Sequence, residues 1–309
     1  MPSDVPSPAA LAFPESPDLL AREVDALPSS CVLLSERGFR ILLLAADQAP
    51  ALQREIGTQR ERTFRSTGEG TGAARDLDAF DETYLQLVLW DEAGAVAGGY
   101  RLGLVDRLTR DGGAAALYTH GAFEYDGRLL RHLDRAVELG RSFVVPEHQR
   151  SFAPLLLLWR GIGAALDRLE RYRLLVGSVS VSADYTEASR QTIASYLLTG
   201  ERCSPWAGLV RARRPYRMAA LSPPDLRALE EAVLHRDRRK PPILVKRYLQ
   251  LGMRGLACGV DPEFGGCLDI LCVADLRDAP AETLHRFMGA EAALTFLDRH
   301  GTSPARKAA

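Results

Sequence analysis

"GRSFVVPEHQRSFAPLLLLWRGIGAALDRLERYRLLVGSVSVS", residues 140–182, is the stretch that decides the fold. It opens with a short apolar run that Pro146 stops, which is the pattern of a strand. From about Phe152 to Leu169 the apolar residues recur at helical spacing, with Ser151 placed as N-cap and Pro154 in the first turn. From Leu174 to Ser182 β-branched residues alternate with small ones, and a second strand follows. A strand, a crossover helix and a strand make a βαβ step, whose two strands run parallel in one sheet.

Working outward, "TYLQLVLWDEAGAVAGGYRLG" (83–103) alternates around "DEAG" and predicts a β-hairpin, and "CVLLSERGFRILLLA" (31–45) predicts another with Gly38 near its turn. "APALQREIGTQRERTFRSTGEG" (49–70) begins with helical character and dissolves into a Gly-rich loop. "RLLRHLDRAVEL" (128–139) reads as an amphipathic helix, and "EASRQTIASYLLTG" (187–200) as a helix ended by glycine. The expected class is therefore α/β (α+β), a mixed sheet flanked by helices. Three parts are expected: a flexible Pro/Ser/Asp-rich tail over 1–18, a main domain over 19–220, and an extension over 221–309 packed on the core. The extension supplies helices and a strand, and reads either as a cap or as a separate small domain.

The 309 residues carry a net charge of −1, so no global field argues for nucleic acid. The five cysteines are odd in number and contain no CxxC, which suits reduced thiols and gives neither a disulfide framework nor a zinc site. The first residues lack a basic region followed by an apolar core, so no signal peptide is expected. No window reaches the ~20 uncharged apolar residues of a membrane helix. A cytoplasmic protein follows, with any membrane contact peripheral.

Four spaced pairs carry the candidate chemistry: Arg60 with Phe64 in "RERTF", Asp78 with Asp81 in "DAFD", Gly98 with Arg101 in "GGYR", and Glu138 with Arg141 in "ELGR". Aspartates also favour turns, and an exposed Glu–Arg pair stabilises little, so each pair alone has a structural reading. Together they border one expected sheet, where sites usually sit. The order R-x-x-x-F, D-x-F/Y-D, G-x-x-R, E-x-x-R resembles that of the acyl-homoserine-lactone synthases. It is also similar to that of their relatives in the GNAT superfamily, the acyl-carrier-protein-dependent N-acyltransferases that form ornithine and glycine lipids. The strings "REIGTQRERTFRSTGEGTG", "ELGRSFVVPEHQR", "LLWRGIGAAL" and "VDPEFGGCLDILCVADL" look like that lipid-forming, hemolysin-like branch. The resemblance runs from about Leu20 to the last helix.

The resemblance implies a GNAT-like sheet whose central parallel strands splay apart to hold the pantetheine arm of the donor. By position these are Ser142–Pro146 and Leu174–Ser182, with Phe143, Val144, Val145 and Ser178 beside the arm. Gln149, Arg150, Ser151 and Phe152 would offer amides to its phosphate at the next helix start. The acetyl-CoA branch has a Q/R-x-x-G-x-G/A loop there. Here "QRSFAPLLL" has no glycine before Gly161, which favours the single phosphate of acyl-phosphopantetheine on acyl carrier protein over a diphosphate.

The implied reaction moves a (3-hydroxy)acyl chain to the α-amine of a small amino acid, giving a lyso-aminolipid. Glu138 is the expected general base, Asp78 and Asp81 bind the acceptor ammonium and hold Arg60 or Arg101, and Phe64 packs on the acyl chain. Arg101 or Arg141 instead reads the acceptor carboxylate. No tightly bound cofactor and no metal are expected. "GSVSVS" is not a nucleophile elbow, and "STGEGTG" is not followed by G-K-[ST] as a phosphate loop would be. The basic stretches Arg211–Arg217 and His235–Arg247 are candidate docking faces for the acidic carrier or for anionic lipid, where each basic residue adds ~1 kcal/mol. Ile243, Leu244, Val245 and Tyr248 would supply the apolar side of a membrane contact. A partner O-acyltransferase would complete the lipid. The alternatives are an acyl-homoserine-lactone synthase and a non-catalytic lipid- or carrier-binding module.

Overall fold

The computed structural model describes residues 8–218, 223–262 and 264–302. Its strands are β1 (Val32–Glu36), β2 (Phe39–Leu44), β3 (Leu85–Asp91), β4 (Ala95–Leu104), β5 (Phe123–Tyr125), β6 (Ala136–Val144), β7 (Leu174–Val181), β8 (Val210–Ala212), β9 (Arg254–Asp261) and β10 (Cys267–Asp275). The helices are α1 (Pro17–Ala26), α2 (Pro50–Arg65), α3 (Val105–Gly112), α4 (Gly127–His132), α5 (Ala153–Arg168), α6 (Glu187–Leu198), α7 (Leu226–Asp237), α8 (Ile243–Gln250), α9 (Ala281–Met288) and α10 (Ala290–His300). Eight of the strands belong to a mixed sheet, and β5 pairs with β8 apart from it. By tertiary contacts the chain divides into two units, residues 1–101 with 141–161, and residues 102–140 with 162–309.

In the first unit the strand order is β1-β2-β3-β4. Arg37 and Gly38 turn β1 into β2, both with positive φ (54° and 78°), the two-residue turn whose twist suits a hairpin. The β3–β4 hairpin falls where the alternation placed it. The stretch expected as a flexible tail is held from residue 8 onward. Ala9 N donates to Gly72 O (2.8 Å), Ala12 N to Ala74 O (3.0 Å), and Glu15 N to the Glu55 carboxylate (2.9 Å). Pro17 then opens α1, whose Leu20 and Val24 are buried. Polar composition suggested a tail because these backbone partners lie about forty to sixty residues away in sequence. Residues 1–7 of that expectation lie outside the described residues.

In the second unit the order is β6-β7-β10-β9. β6 and β7 are parallel, as the βαβ reading requires, and β10 runs antiparallel along β7 from Leu268↔Val181 to Asp275↔Leu174. The 221–309 segment thus contributes two strands to the sheet. Phe123, Leu129, Leu133, Leu174, Val176 and Leu271 share one core. The 128–139 stretch departs from its helical reading. α4 ends at His132, and Arg135 O accepts from Leu174 N (3.1 Å), so Ala136 enters the ladder with β7. Strand pairing overrides helical periodicity there. Among the described residues no helix is long and apolar enough to cross a membrane.

Candidate active site

In the first unit the turn after α2 delivers acidic residues to the guanidinium groups of α2 and β4. Arg60, on the buried face of α2, donates from Nε to Asp76 Oδ2 (3.1 Å) and from Nη1 and Nη2 to Asp81 Oδ1 (3.1 Å) and Oδ2 (2.8 Å), and it also bonds the Asp76 carbonyl. Arg101, on β4, bonds Asp78 Oδ1 and reaches Asp81 Oδ2 at 3.2 Å. Gln86 Nε2 donates to Asp81 Oδ1 (3.1 Å). Arg141 lies 3.5 Å from Asp76 and 3.8 Å from Asp78. Three guanidinium groups meet three carboxylates, so the cluster is neutral overall, as a buried set must be to avoid a large desolvation cost.

Burial alone would raise the Asp81 carboxyl, but the Arg60 and Arg101 guanidinium groups outweigh burial and hold it below the usual carboxylate range. Burial likewise opposes the Arg60 charge, and Asp76 and Asp81 overcome it, so its pKa is raised. The two aspartates also form a capping box: Asp78 Oδ1 accepts from Phe80 N (2.9 Å) and Asp81 Oδ2 from Asp78 N (2.9 Å). Turn and ion cluster are one device.

This geometry sets the surroundings of several expected site residues. Asp81, expected to bind the acceptor ammonium, is buried beneath two arginines. Arg101 is also enclosed, with its guanidinium about 5.6 Å from the Tyr84 ring and 5.9 Å from the Phe80 ring, and it bonds Asp78. Asp78 is the carboxylate of the cluster that reaches solvent, its side chain 30% exposed. Asp76 was missed in the sequence, although its i, i+2 spacing to Asp78 was the available signal. Phe64 is buried and packs under Arg141, 5.9 Å from its guanidinium, where the expectation was an acyl chain.

Around the expected donor loop, Val145 N donates to Ala97 O (3.0 Å) and Gln149 Nε2 to Val144 O (2.8 Å), while Phe143 is buried. Gln149, Arg150 and Ser151 are exposed and lead into α5. Ser151 Oγ accepts from Ala153 N (3.2 Å), and Pro154 has no N–H, so few amides remain at that helix start. The Gly-rich loop is also committed. Thr71 N (3.0 Å) and Gly72 N (2.9 Å) donate to the buried Glu61, which Arg65 also pairs. Those amides hold a carboxylate of the chain itself, as the missing G-K-[ST] implied.

In the second unit, β6 and β7 pair over Ala136↔Leu174, Val137↔Leu175 and Glu138↔Val176, and among the described residues the pairing ends there although β7 continues to Val181. Glu138 stands at that break. Its buried carboxylate accepts from Tyr118 N (3.1 Å), Thr119 N (3.0 Å) and the Thr119 hydroxyl. Because Thr119 spends its single proton on Glu138, the Tyr125 hydroxyl donates to Thr119, and burial followed by the Glu138 charge pushes the Tyr125 phenol up. Tyr118, Thr119 and Tyr125 carried no sequence signal that marked them.

Beside the break lies a cavity with about 340 Å³ of atom-free space, part of it open to solvent. Leu139, Leu175, Gly177, Tyr248, Leu251 and Met253 are among its walls, which also include Ser178. The walls are chiefly apolar, as in pockets for hydrocarbon ligands. Tyr248 therefore lines a cavity of the protein, and Val245 is fully buried, which revises the expected membrane-facing set; Ile243 is exposed. Arg211 and Arg213 pair with Glu124 (2.6 and 3.1 Å), whereas Arg214 and Arg217 are exposed. Burial pushes the Cys258 thiol up to about 12 and raises Cys272 as well, so neither is a thiolate nucleophile. Among the described residues no cluster of three or more His, Cys, Asp or Glu side chains is set to hold a metal ion.

The family model for the acetyltransferase (GNAT) domain matches residues 59–160. The chain is 31% identical over 250 residues to the glycine N(alpha)-acyltransferase of Bacteroides thetaiotaomicron, covering 73% of this chain and 74% of that protein. It is 33% identical over 212 residues to the L-ornithine N(alpha)-acyltransferase of Rhodobacter capsulatus, covering 65% of this chain and 75% of that one. Among solved structures, a CoA-dependent acyl-homoserine lactone synthase, MesI, aligns with a TM-score of 0.42 and 14% identity over 80% of this chain and 94% of that chain. The matched domain and the mixed sheet define a GNAT-type acyltransferase. Within that class, the chain belongs to the family of N(alpha)-acyltransferases of which the Bacteroides and Rhodobacter proteins are members, in keeping with the motif order.

Proposed function

We propose that this enzyme transfers a (3-hydroxy)acyl chain from acyl carrier protein to the α-amine of a small amino acid of the glycine or ornithine type, forming a lyso-aminolipid. The observation that carries the reading is the end of the β6–β7 ladder at Glu138/Val176 beside an apolar cavity. An extended thioester arm can pair with strand edges left without a ladder, and a hydrocarbon tail fits apolar walls. The names of the glycine and ornithine N(alpha)-acyltransferases support the acceptor class. A single phosphate suits the capped, proline-bearing start of α5 better than a diphosphate, which favours the carrier protein as donor.

In this reading the amine nitrogen attacks the thioester carbonyl directly, with no covalent acyl-enzyme. Glu138, oriented by the Tyr118 and Thr119 amides, takes the proton released as the C–N bond forms, directly or through water. The exposed Arg214 and Arg217 extend the reading to a docking face for an acidic carrier. The test is a matrix of purified protein with 3-hydroxyacyl-carrier protein or 3-hydroxyacyl-CoA against glycine and ornithine, read by mass spectrometry. An N-acyl amino acid formed with the carrier donor supports the reading, a CoA preference revises the donor, and no amide with any amine favours a binding module.

A further inference from the structure

β7 carries serines at every second position, Ser178 and Ser180 within it and Ser182 just after it, so alternation sets all three on one face. Two of them are partnered. Ser180 Oγ bonds Asp269 Oδ1 (3.1 Å), and Ser182 Oγ accepts from Asp184 N (3.2 Å). The Ser178 hydroxyl oxygen is buried and has no hydrogen-bond partner among the described residues. A buried hydroxyl left unpaired costs stability, and such groups in native proteins call for an explanation.

The position of Ser178 supplies one. It follows Val176, the ladder partner of Glu138, by two residues, about 6.6 Å along the strand and on the same face as the carboxylate. It is the first residue of that face beyond the last β6–β7 pair among the described residues, and it borders the apolar cavity, whose Leu139, Leu175 and Gly177 walls alternation sets on the other face of the strands. Among the other polar side chains of that wall, Cys272 Sγ already donates to Ile270 O (3.3 Å) and Tyr248 is engaged elsewhere. One preceding residue matters too. A Cβ at Gly177 would collide with the Leu139 carbonyl oxygen, so the two backbones still lie close one residue past the last ladder pair.

From these observations, and resting on the acyl-transfer reading above, we infer that Ser178 is a catalytic residue whose hydroxyl donates a hydrogen bond to the thioester carbonyl oxygen as it becomes an oxyanion. The amine nitrogen forms a bond to the carbonyl carbon, and the π pair moves to oxygen, where Ser178 meets it. The pair then returns, the C–S bond breaks, and the thiolate leaves as the thiol, taking by way of Glu138 or its water the proton that the nitrogen lost. The proton lost by the amine goes to Glu138 or its water. Ser178 keeps its own proton throughout, so it is a donor and not a nucleophile. Backbone amides at the strand break act with it on the same oxygen.

The test compares wild type, Ser178→Ala and Ser178→Thr with 3-hydroxyacyl-carrier protein and glycine, following thiol release and amide formation, alongside thermal melts. Removing one oxyanion donor lowers kcat by roughly 10²–10³-fold. Ser178→Ala should show that loss with both KM values nearly unchanged and with a melting temperature equal to or above wild type, since the deleted hydroxyl has no partner in the fold. Ser178→Thr, which retains the donor, should recover most of the rate. A kcat for Ser178→Ala within about threefold of an active wild type, a change confined to KM, or a lowered melting temperature would overturn the role while leaving the acyl-transfer reading intact. A wild type that forms no amide would overturn that reading and this role together.

Discussion

Replacing Arg60 by methionine keeps most of the side-chain volume and deletes the charge. The guanidinium is 1% exposed and makes four hydrogen bonds, two to Asp81, one to the Asp76 carboxylate and one to its carbonyl. The variant leaves Asp76 facing Arg141 at 3.5 Å and Asp81 facing Arg101 and Gln86, with one anion in excess in a buried cluster. Removing one partner of such a set costs ~3–5 kcal/mol, a large part of the ~5–15 kcal/mol by which a domain is stable. At ~2–4 °C per kcal/mol the melting temperature should fall by ~6–20 °C at pH 7, measured by circular dichroism. The pH dependence follows from the sign of the Asp81 shift. Its folded pKa is lowered, so its contribution to the wild type is present above the unfolded value of ~3.9 and is lost as pH falls through the folded value. In the variant Asp81 has lost the guanidinium that lowers it most, so it takes up its proton at higher pH. The gap between the two proteins should therefore narrow from pH 7 toward pH 4. A melting-temperature loss under about 3 °C, or one that does not shrink with acid, would refute the reasoning.

Asp78→Asn keeps the turn cap but removes the charge that faces Arg101 and Arg141, and because this side chain is 30% exposed the melting temperature should fall by less than in the Arg60 variant; an equal or larger loss would count against the reading of the cluster. Glu138→Gln should lower kcat by ~10²–10⁴-fold, and an undiminished rate in steady-state assays would remove the base assignment. Gly177→Ala drives a methyl into the Leu139 carbonyl and should destabilise the protein by ~1–3 kcal/mol in urea titrations; a neutral result would show that β6 and β7 can separate there without cost.

The βαβ step was legible because its strands and helix each follow their own period. α5 begins at Ala153, one residue past the expected start, and β7 ends at Val181, one before its expected end. Both hairpins were legible from alternation and from turn residues such as Gly38. The site was legible as a set of residues more than as a set of roles. Motif spacing singled out Arg60, Asp78, Asp81 and Arg101, and the fold does bring them together. It could not tell that Asp81 would be buried and Asp78 left partly exposed, because that depends on how α2, β4 and the intervening turn pack. The Thr119–Glu138 bond spans 19 residues, and the turn that makes it has no periodic signature. Ser178 was placed by family position beside the donor arm. Its missing partner became visible only when the bonds of Ser180 and Ser182 could be compared with it.

Incubation of the wild-type enzyme with 3-hydroxyacyl-carrier protein and ¹⁵N-labelled glycine or ornithine, with free thiol and product mass followed in the same sample, tests direct acyl transfer at the β6–β7 break. The account predicts one thiol released for each labelled amide formed, with no acylated protein in its intact mass spectrum. Thiol release without labelled amide, or a stable acyl adduct on the enzyme, would contradict it.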